Sequence, residues 1–159
     1  MLLYLANRAR PDLQTAVSSL CTRVRQPDEE DRKKLQRTMH YLEATIWLPL
    51  TLEAPNNGVT VVKWWVDALY GTHDDFKGHT GAAMSLGKGH PYLASKKQKL
   101  NTISSTKSEL LGVDDLMPMV FWTRYFLEAQ GYNVTTNGMY QDNKSTILLE
   151  KNGKSSSGQ

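Results

Sequence analysis

Residues 59–68 have the pattern of a β-strand that ends on a carboxylate. The run from Val61 to Val66 is made of Val and Trp with one Lys, and β-branched and aromatic side chains favour the half-buried backbone of a strand. Asp67 closes the run, although Asp is disfavoured in strands. It is therefore either a turn residue, which suits Asp, or part of a site at the end of a central strand.

The composition limits the class of protein. The 159 residues, 40% apolar, suffice for one domain, or one domain and a fragment, with a real core. The single cysteine, Cys21, excludes an internal disulfide and a multi-cysteine zinc site, fits a reducing compartment, and is predicted to lie in the core. The first apolar run is too short for a signal peptide, and no run reaches the roughly 18 residues of a membrane span.

Residues 1–46 predict two antiparallel helices with an apolar stripe that needs a partner. The first has apolar residues at helical spacing from Leu13 to Val24, behind Asp12 as a candidate cap. The second begins at Pro27 and Asp28, with acids in its first turn, where the helix dipole favours them. Residues 48–53 alternate apolar and polar and predict a strand. The Pro-, Asn- and Gly-containing run that follows is a linker, so the domains are predicted as 1–54 and 55–159.

The second domain is predicted to have the order β-β-β-α-β-α. Its first three strands have turn-length connections, which are typical of an antiparallel meander. A long helix opens at Thr106 with the capping-box pattern Thr-Lys-Ser-Glu, and Pro118 kinks it, ends it or begins another. This order predicts an α/β fold with a mixed sheet and helices packed on it. Strands are predicted at 59–68, 80–86, 91–97 and 138–141, and the last helix at 143–151.

Three acids stand at the ends of these predicted elements. Asp67 ends the first strand, Glu109 lies in the first turn of the long helix, and Asp142 follows the fourth strand. If the first and fourth strands are neighbours, the three meet at one edge of the sheet. Converging carboxylates repel one another unless cations lie between them. Hard oxygen ligands suit Mg²⁺ or Mn²⁺, and two such ions serve in-line attack on a phosphodiester.

Each acid also has a purely structural interpretation. Asp67 can be a turn residue, Glu109 can close the capping box with Thr106, and Asp142 with Asn143 can cap the last helix. A separate signal is the segment between Asp75 and Glu109, which holds six lysines and no acid. It is either a solvated face or a surface that contacts phosphates.

Several motifs together resemble the ribonuclease H domain of copia-type retrotransposon Pol polyproteins. They are Val-Asp-Ala (66–68), Gly-His-Thr-Gly (78–81), Ser-Lys-Lys-Gln (95–98), Ser-Ser-Thr-x-x-Glu-Leu (104–110) and Gln-Asp-Asn-Lys-Ser (141–145). Residues 4–12 and the helices up to about 46 resemble the segment that connects the reverse transcriptase to that domain. The resemblance covers nearly the whole chain.

The resemblance implies a ribonuclease H-like fold that cuts the RNA strand of an RNA/DNA hybrid with two Mg²⁺ or Mn²⁺ ions. Asp67, Glu109 and Asp142 match the family's first three catalytic, metal-binding acids. Discrimination of RNA from DNA would rest on the 2′-hydroxyl. Substrate contacts are expected from Ser104, Ser105, Asn143, Lys96, Lys97 and Lys99.

The family continues with a further strand and a helix that carries a fourth acid, and we expect this chain to lack both. The resemblance further implies the rest of the polyprotein as a partner, and a cytoplasmic retrotransposon particle or the nucleus as location, with no membrane. Two alternatives stay open. One is an inactive remnant that only binds nucleic acid through its lysines, and should not need Mg²⁺. The other is an integrase, which is disfavoured because integrases place Glu last among their three acids.

Overall fold

A computed structural model of the chain describes residues 1–153. The chain forms two compact units, Met1–Thr51 and Leu52–Gln159. The division falls close to the boundary predicted near residue 55. The assignment of the first unit as a reverse transcriptase connection segment stays a prediction.

The first unit contains three α-helices, not the two that the sequence predicted. They are α1 (Leu2–Arg8), α2 (Gln14–Arg23) and α3 (Glu29–Ala44), and a short 3-10 turn at Pro11–Leu13 precedes α2. A seven-residue helix is too short to be stable alone. Here α1 is held because Ala6 is buried against Leu13 and Val17. This tertiary contact is not visible in the local pattern.

Several local expectations for this unit are wrong. Asp12 does not cap α2, because its carboxylate accepts hydrogen bonds from the guanidinium of Arg10 at 3.0 and 2.7 Å. Cys21 is exposed and does not lie in the core. The packing in this unit buries α2 at Val17 alone. Asp28 does cap α3, in a reciprocal capping box with Asp31.

The strand predicted at residues 48–53 does not form. Glu53 makes one isolated bridge to Lys88, with backbone hydrogen bonds of 3.2 and 2.9 Å. The apolar members of the alternation, Leu48, Leu50 and Leu52, are exposed. Alternation produces a strand only where a neighbour pairs with it and covers one face, and in the described part of the chain this segment has no such neighbour.

The second unit has the predicted order β-β-β-α-β-α, and its α/β class with a mixed sheet is confirmed. The strand order in the sheet is β3-β2-β1-β4, with β1 antiparallel to β2, β2 antiparallel to β3, and β1 parallel to β4. This architecture is compatible with a ribonuclease H-like fold. The elements are β1 (Val61–Leu69), β2 (His79–Ser85), β3 (Tyr92–Lys97), α4 (Ser105–Ala129), β4 (Thr136–Tyr140) and α5 (Lys144–Asn152).

The core of this unit lies between α4 and one face of the sheet. Alternate residues of β1 are buried there, and Trp64 is fully buried, with its indole N–H donated to Asn137 Oδ1 at 3.0 Å. Gly112 lets α4 approach β2, because a Cβ at this position would lie 3.3 Å from a Thr80 methyl group. Side chains on the other face of β1, Asp67 among them, are exposed.

The long helix α4 continues through Pro118 without interruption. A proline removes the hydrogen bond to the carbonyl four residues earlier, at Asp114. Both Pro118 and Asp114 are exposed, so water can satisfy that carbonyl. The helix ends at Ala129, and Gly131 follows with φ of 88°, which is the left-handed conformation that glycine adopts most readily.

Candidate metal centre

The pairing of β1 with β4 brings Asp67 and Asp142 to the same edge of the sheet. The two strands are parallel, and the register pairs Trp65 with Tyr140. Asp67 follows Trp65 by two residues, and Asp142 follows Tyr140 by two. Because β1 continues to Leu69, Asp67 lies inside the strand, and its interpretation as a turn residue is wrong.

Glu109 lies near the start of α4, and it does not take part in capping that helix. The N-cap of α4 is Ser104, whose hydroxyl accepts a hydrogen bond from the Lys107 backbone N–H at 3.3 Å. The capping box predicted at Thr106 is therefore wrong, and Glu109 is not needed to cap the start of the helix. The side chain is buried, with the residue only 6% exposed.

Asp142 is likewise not used as a cap. The N-cap of α5 is Asn143, whose side-chain oxygen accepts from the Thr146 backbone N–H at 3.1 Å. The Asp142 side chain is exposed at the turn between β4 and α5. None of the three acids thus serves the local structural role that its sequence position suggested.

Asp67, Glu109 and Asp142 form an acidic triad. Each can offer one carboxylate oxygen such that all three atoms lie within 4.8 Å of one another. The sequence predicted this convergence from the ends of three separate elements. In the described residues this is the one group of three or more His, Cys, Asp or Glu side chains with such spacing.

The surroundings of Glu109 raise the pKa of its carboxyl group. Burial is the main cause, because it removes water from the charged form, and the negative charges of Asp67 and Asp142 act in the same direction. Hydrogen bonds from the Gln141 side chain and the Ala68 backbone oppose the rise. The charged form of Glu109 is therefore less favourable in the folded protein than in water. A raised pKa of this kind is typical of carboxylates at functional sites.

The donor set of the acidic triad fits Mg²⁺ or Mn²⁺. All three groups are hard oxygen donors, which these ions prefer to nitrogen or sulfur. The repulsion among the three charges is relieved by a divalent cation placed between them. The identity and number of ions stay predictions.

Gln141 connects two members of the acidic triad, and the sequence interpretation gave it no role. Its Nε2 donates to Glu109 Oε2 at 3.0 Å. Its Oε1 accepts from the backbone N–H groups of Asp142 at 2.8 Å and Asn143 at 3.2 Å. The available signal was its place directly before the candidate ligand Asp142, at the end of a strand.

A buried polar network lies beneath the first turn of α4. Gln98 donates through Nε2 to Thr80 Oγ1 at 3.0 Å and to the Ser108 carbonyl at 2.8 Å, while Ser108 Oγ donates to Gln98 Oε1 at 3.0 Å. Gly78 is enclosed here, since a Cβ would collide with Gln98 Oε1, Ser108 Oγ and the Leu69 carbonyl oxygen. Ser108 Oγ also lies 3.4 Å from the Leu69 carbonyl oxygen, so the turn that carries Glu109 is joined to β1, to β2 and to the residue that follows β3.

The other predicted contact residues lie at the starts of α4 and α5 and in or after β3. Ser105 is exposed at the start of α4, beside the cap Ser104, and Asn143 caps α5. Lys96 and Lys97 are successive residues of β3 and therefore point to opposite faces of the sheet. Their roles as substrate contacts stay predictions.

Lys97 is already paired within the protein. Its Nζ lies 2.9 Å from Asp75 Oδ1, and Lys77 Nζ lies 3.6 Å from the other oxygen of the same carboxylate. Register places Lys97 opposite His79, on the face of the sheet that carries Asp67. Lys96 and Lys99 are exposed. The lysine-rich segment is thus not one continuous unpaired surface.

Two plant proteins are similar to nearly the whole chain. It is 26% identical over 152 residues to the retrovirus-related Pol polyprotein from transposon TNT 1-94 of Nicotiana tabacum, which covers 95% of this chain and 11% of that protein. It is 30% identical over 149 residues to the retrovirus-related Pol polyprotein from transposon RE1 of Arabidopsis thaliana, which covers 88% of this chain and 10% of that protein. No protein-family model and no solved structure matches the chain.

The chain is therefore similar to a segment of plant transposon Pol polyproteins, and it spans about a tenth of the length of these relatives. The polyprotein part of the resemblance is confirmed. The copia type and the ribonuclease H region stay predictions. In the part of the chain that the structure describes, no helix has the length and apolar character needed to cross a bilayer.

Proposed function

We propose that this chain contains a ribonuclease H-type endonuclease domain of a retrotransposon reverse transcriptase, which hydrolyses the RNA strand of RNA/DNA hybrids. The observation that carries the proposal is the acidic triad, assembled from β1, α4 and the end of β4 of one mixed sheet. The similarity to retrovirus-related Pol polyproteins of plant transposons supports it.

In this proposal Asp67 and Asp142, which are exposed, would hold one divalent ion, and buried Glu109 would hold or orient the other. Two ions at such a site supply an activated water and stabilise the leaving oxygen of an in-line displacement. The chain's own contribution is to hold three carboxylates at fixed places on rigid elements. Repulsion among them makes the ion-bound state favourable relative to the metal-free one.

The substrate contacts would come from groups that border the acidic triad. Ser105 lies one helical turn before Glu109 on α4, and Asn143 directly follows Asp142. The 2′-hydroxyl is the group by which such side chains would distinguish an RNA strand. The wider context is proposed in the same way. Residues 1–54 would connect to a reverse transcriptase, the rest of the polyprotein would be the partner, and the site of action would be a cytoplasmic particle or the nucleus.

The experiment is cleavage of an RNA/DNA hybrid with each strand labelled in turn, in Mg²⁺ and in EDTA, by the wild type and by Asp142→Asn. We expect cleavage of the RNA strand alone, its loss in EDTA, and its loss in the variant. Absence of cleavage by a folded sample that binds the hybrid without Mg²⁺ would contradict the proposal and favour the alternative of a binding remnant. Asp115→Asn, which removes an exposed acid from the same helix α4, is the matched control and should cleave like the wild type.

A further inference from the structure

Gln141 is hydrogen-bonded to the Glu109 carboxylate and to the Asp142 backbone, and its amide has a defined orientation. Oε1 accepts from two successive backbone N–H groups, those of Asp142 at 2.8 Å and Asn143 at 3.2 Å. A backbone N–H can only donate, so the oxygen must face this turn. The amide nitrogen is then fixed toward Glu109, 3.0 Å from Oε2.

Because of this orientation, Glu109 Oε2 faces a hydrogen-bond donor and not an acceptor. Repulsion from the two neighbouring carboxylates would turn the Glu109 side chain away from them. The hydrogen bond from Gln141 to its Oε2 holds the side chain in place. The same side chain is hydrogen-bonded to the backbone of the turn that carries Asp142. One residue therefore contacts both the acid on α4 and the turn that holds the acid after β4.

We propose that Gln141 is a positioning residue that preorganises the acidic triad for a divalent cation by holding Glu109 and the Asp142 turn in one hydrogen-bonded unit. The inference rests on the proposed function, because it takes the acidic triad as the metal site. Hydrogen-bond partners behind metal ligands typically change metal affinity by about 10- to 100-fold when they are removed.

The test compares two variants of the same region. Gln141→Met keeps the length of the side chain and removes both its donor and its acceptor. Thr146→Val is the matched control. It removes the hydrogen bond from the fully buried Thr146 Oγ1 to the Thr106 carbonyl, which joins α5 to the start of α4, and it touches none of the acids. Both variants weaken the same junction, and only one changes the surroundings of Glu109.

The measurement is Mn²⁺ affinity, from the signal of free Mn²⁺ in electron paramagnetic resonance, with folding checked by circular dichroism. We expect Gln141→Met to weaken Mn²⁺ binding by about tenfold or more and Thr146→Val to stay within about twofold of the wild type. Unchanged affinity in a folded Gln141→Met variant would overturn the inference, and so would an equal loss in both variants.

The outcomes separate this inference from the function on which it rests. If the wild type binds Mn²⁺ and cleaves the hybrid while Gln141→Met does both equally well, only the role of Gln141 fails. If Mn²⁺ affinity falls in Gln141→Met but no hybrid is cleaved by the wild type, the nuclease proposal fails and the positioning role stands. If the wild type binds no Mn²⁺, both fail.

Discussion

Gln98, which directly follows β3, and Ser108, in the first turn of α4, are joined by two reciprocal hydrogen bonds. Gln98 Nε2 donates to the Ser108 carbonyl at 2.8 Å, and Ser108 Oγ donates to Gln98 Oε1 at 3.0 Å. Both residues are almost completely buried. Since Glu109 directly follows Ser108, this pair of hydrogen bonds holds the turn of α4 from which the acid extends.

Replacement of Ser108 tests how much this pair of hydrogen bonds contributes to the free energy of unfolding. Ser108→Ala leaves Gln98 Oε1 buried without its donor, which typically costs about 1–3 kcal/mol of unfolding free energy. We expect a loss in this range in urea unfolding. The control is Ser105→Ala, at an exposed position of the same helical turn, which should stay within about 0.5 kcal/mol of the wild type. Equal stability of Ser108→Ala and the wild type would show that water replaces the bond.

Glu109 should destabilise the protein when no metal is bound. Its pKa is raised by burial and by the charges of Asp67 and Asp142, so its ionised form is less favourable in the folded protein than in the unfolded chain. Glu109→Gln removes that charge and retains an acceptor for the donors around it. We expect the variant to be more stable than the wild type in EDTA at pH 7, by about 0.5–2 kcal/mol.

The same variant should lose the response to metal. Mg²⁺ binding to the folded wild type raises its melting temperature by mass action, and Glu109→Gln should show a much smaller rise. Asp115→Asn, which also removes one negative charge from α4, controls for net charge and should keep the full response. A Glu109→Gln variant that is less stable in EDTA would show that the Glu109 carboxylate is needed by the fold itself.

The acidic triad could be predicted from the sequence because each acid follows or begins an element whose pattern is strong. The buried strand up to Val66 and the helix after Ser104 fix two of the three positions once β1 and β4 are neighbours. The local alternatives could not be decided from sequence. Ser104 and Thr106 are both of residue types that cap helices, and the backbone geometry shows that Ser104 is the one used.

Contacts between distant segments are what the sequence did not reveal. The burial of α1 through Ala6, the exposure of Cys21 and the failure of residues 48–53 to pair depend on which element packs where. The reach of Gln141 to Glu109 spans 32 positions and has no local pattern. Periodicity reports the faces of single elements, whereas these features depend on pairs of elements.

A histidine pair should make the second unit sensitive to mild acid. His73 Nε2 lies 3.0 Å from His79 Nδ1, and His79 Nε2 lies 2.7 Å from Ser95 Oγ. Burial lowers the pKa of both imidazoles. The charge of Lys97 lowers the pKa of His73 further, whereas the charges of Asp74 and Asp75 raise it. The charge of His73 lowers the pKa of His79. The unfolded chain therefore binds these protons more tightly than the folded protein.

The contribution of the pair to stability is thus fully present above the ordinary histidine pKa of about 6.5 and is lost as the pH falls below it. We expect the unfolding free energy to decrease between about pH 7 and pH 5. The decrease should be smaller in His79→Gln, while His90→Gln, at an exposed position of the same unit, should retain the wild-type slope. Thermal unfolding followed by circular dichroism at several pH values measures it, and an unchanged slope in His79→Gln would refute the assignment.

The pairing of Lys97 with Asp75 sets how much this lysine contributes to binding of a hybrid. Because Asp75 lies 2.9 Å from its ammonium group, Lys97 brings little uncompensated charge to a phosphate. Lys97→Ala should therefore have a small effect in the wild type and a larger one in an Asp75→Asn background. Each phosphate contact that is lost lowers the slope of log affinity against log salt by about 1.

The measurement is hybrid affinity between about 50 and 200 mM salt, carried out in Asp142→Asn to prevent cleavage. We expect the slope to fall by about 1 on Lys97→Ala only when Asp75→Asn is also present. Lys33→Ala, which removes a lysine paired with Glu30 on α3, controls for total charge. A full loss of slope from Lys97→Ala alone would mean that the hybrid displaces Asp75. No change in either background would mean that the hybrid does not reach the face of the sheet on which Lys97 and Asp67 lie.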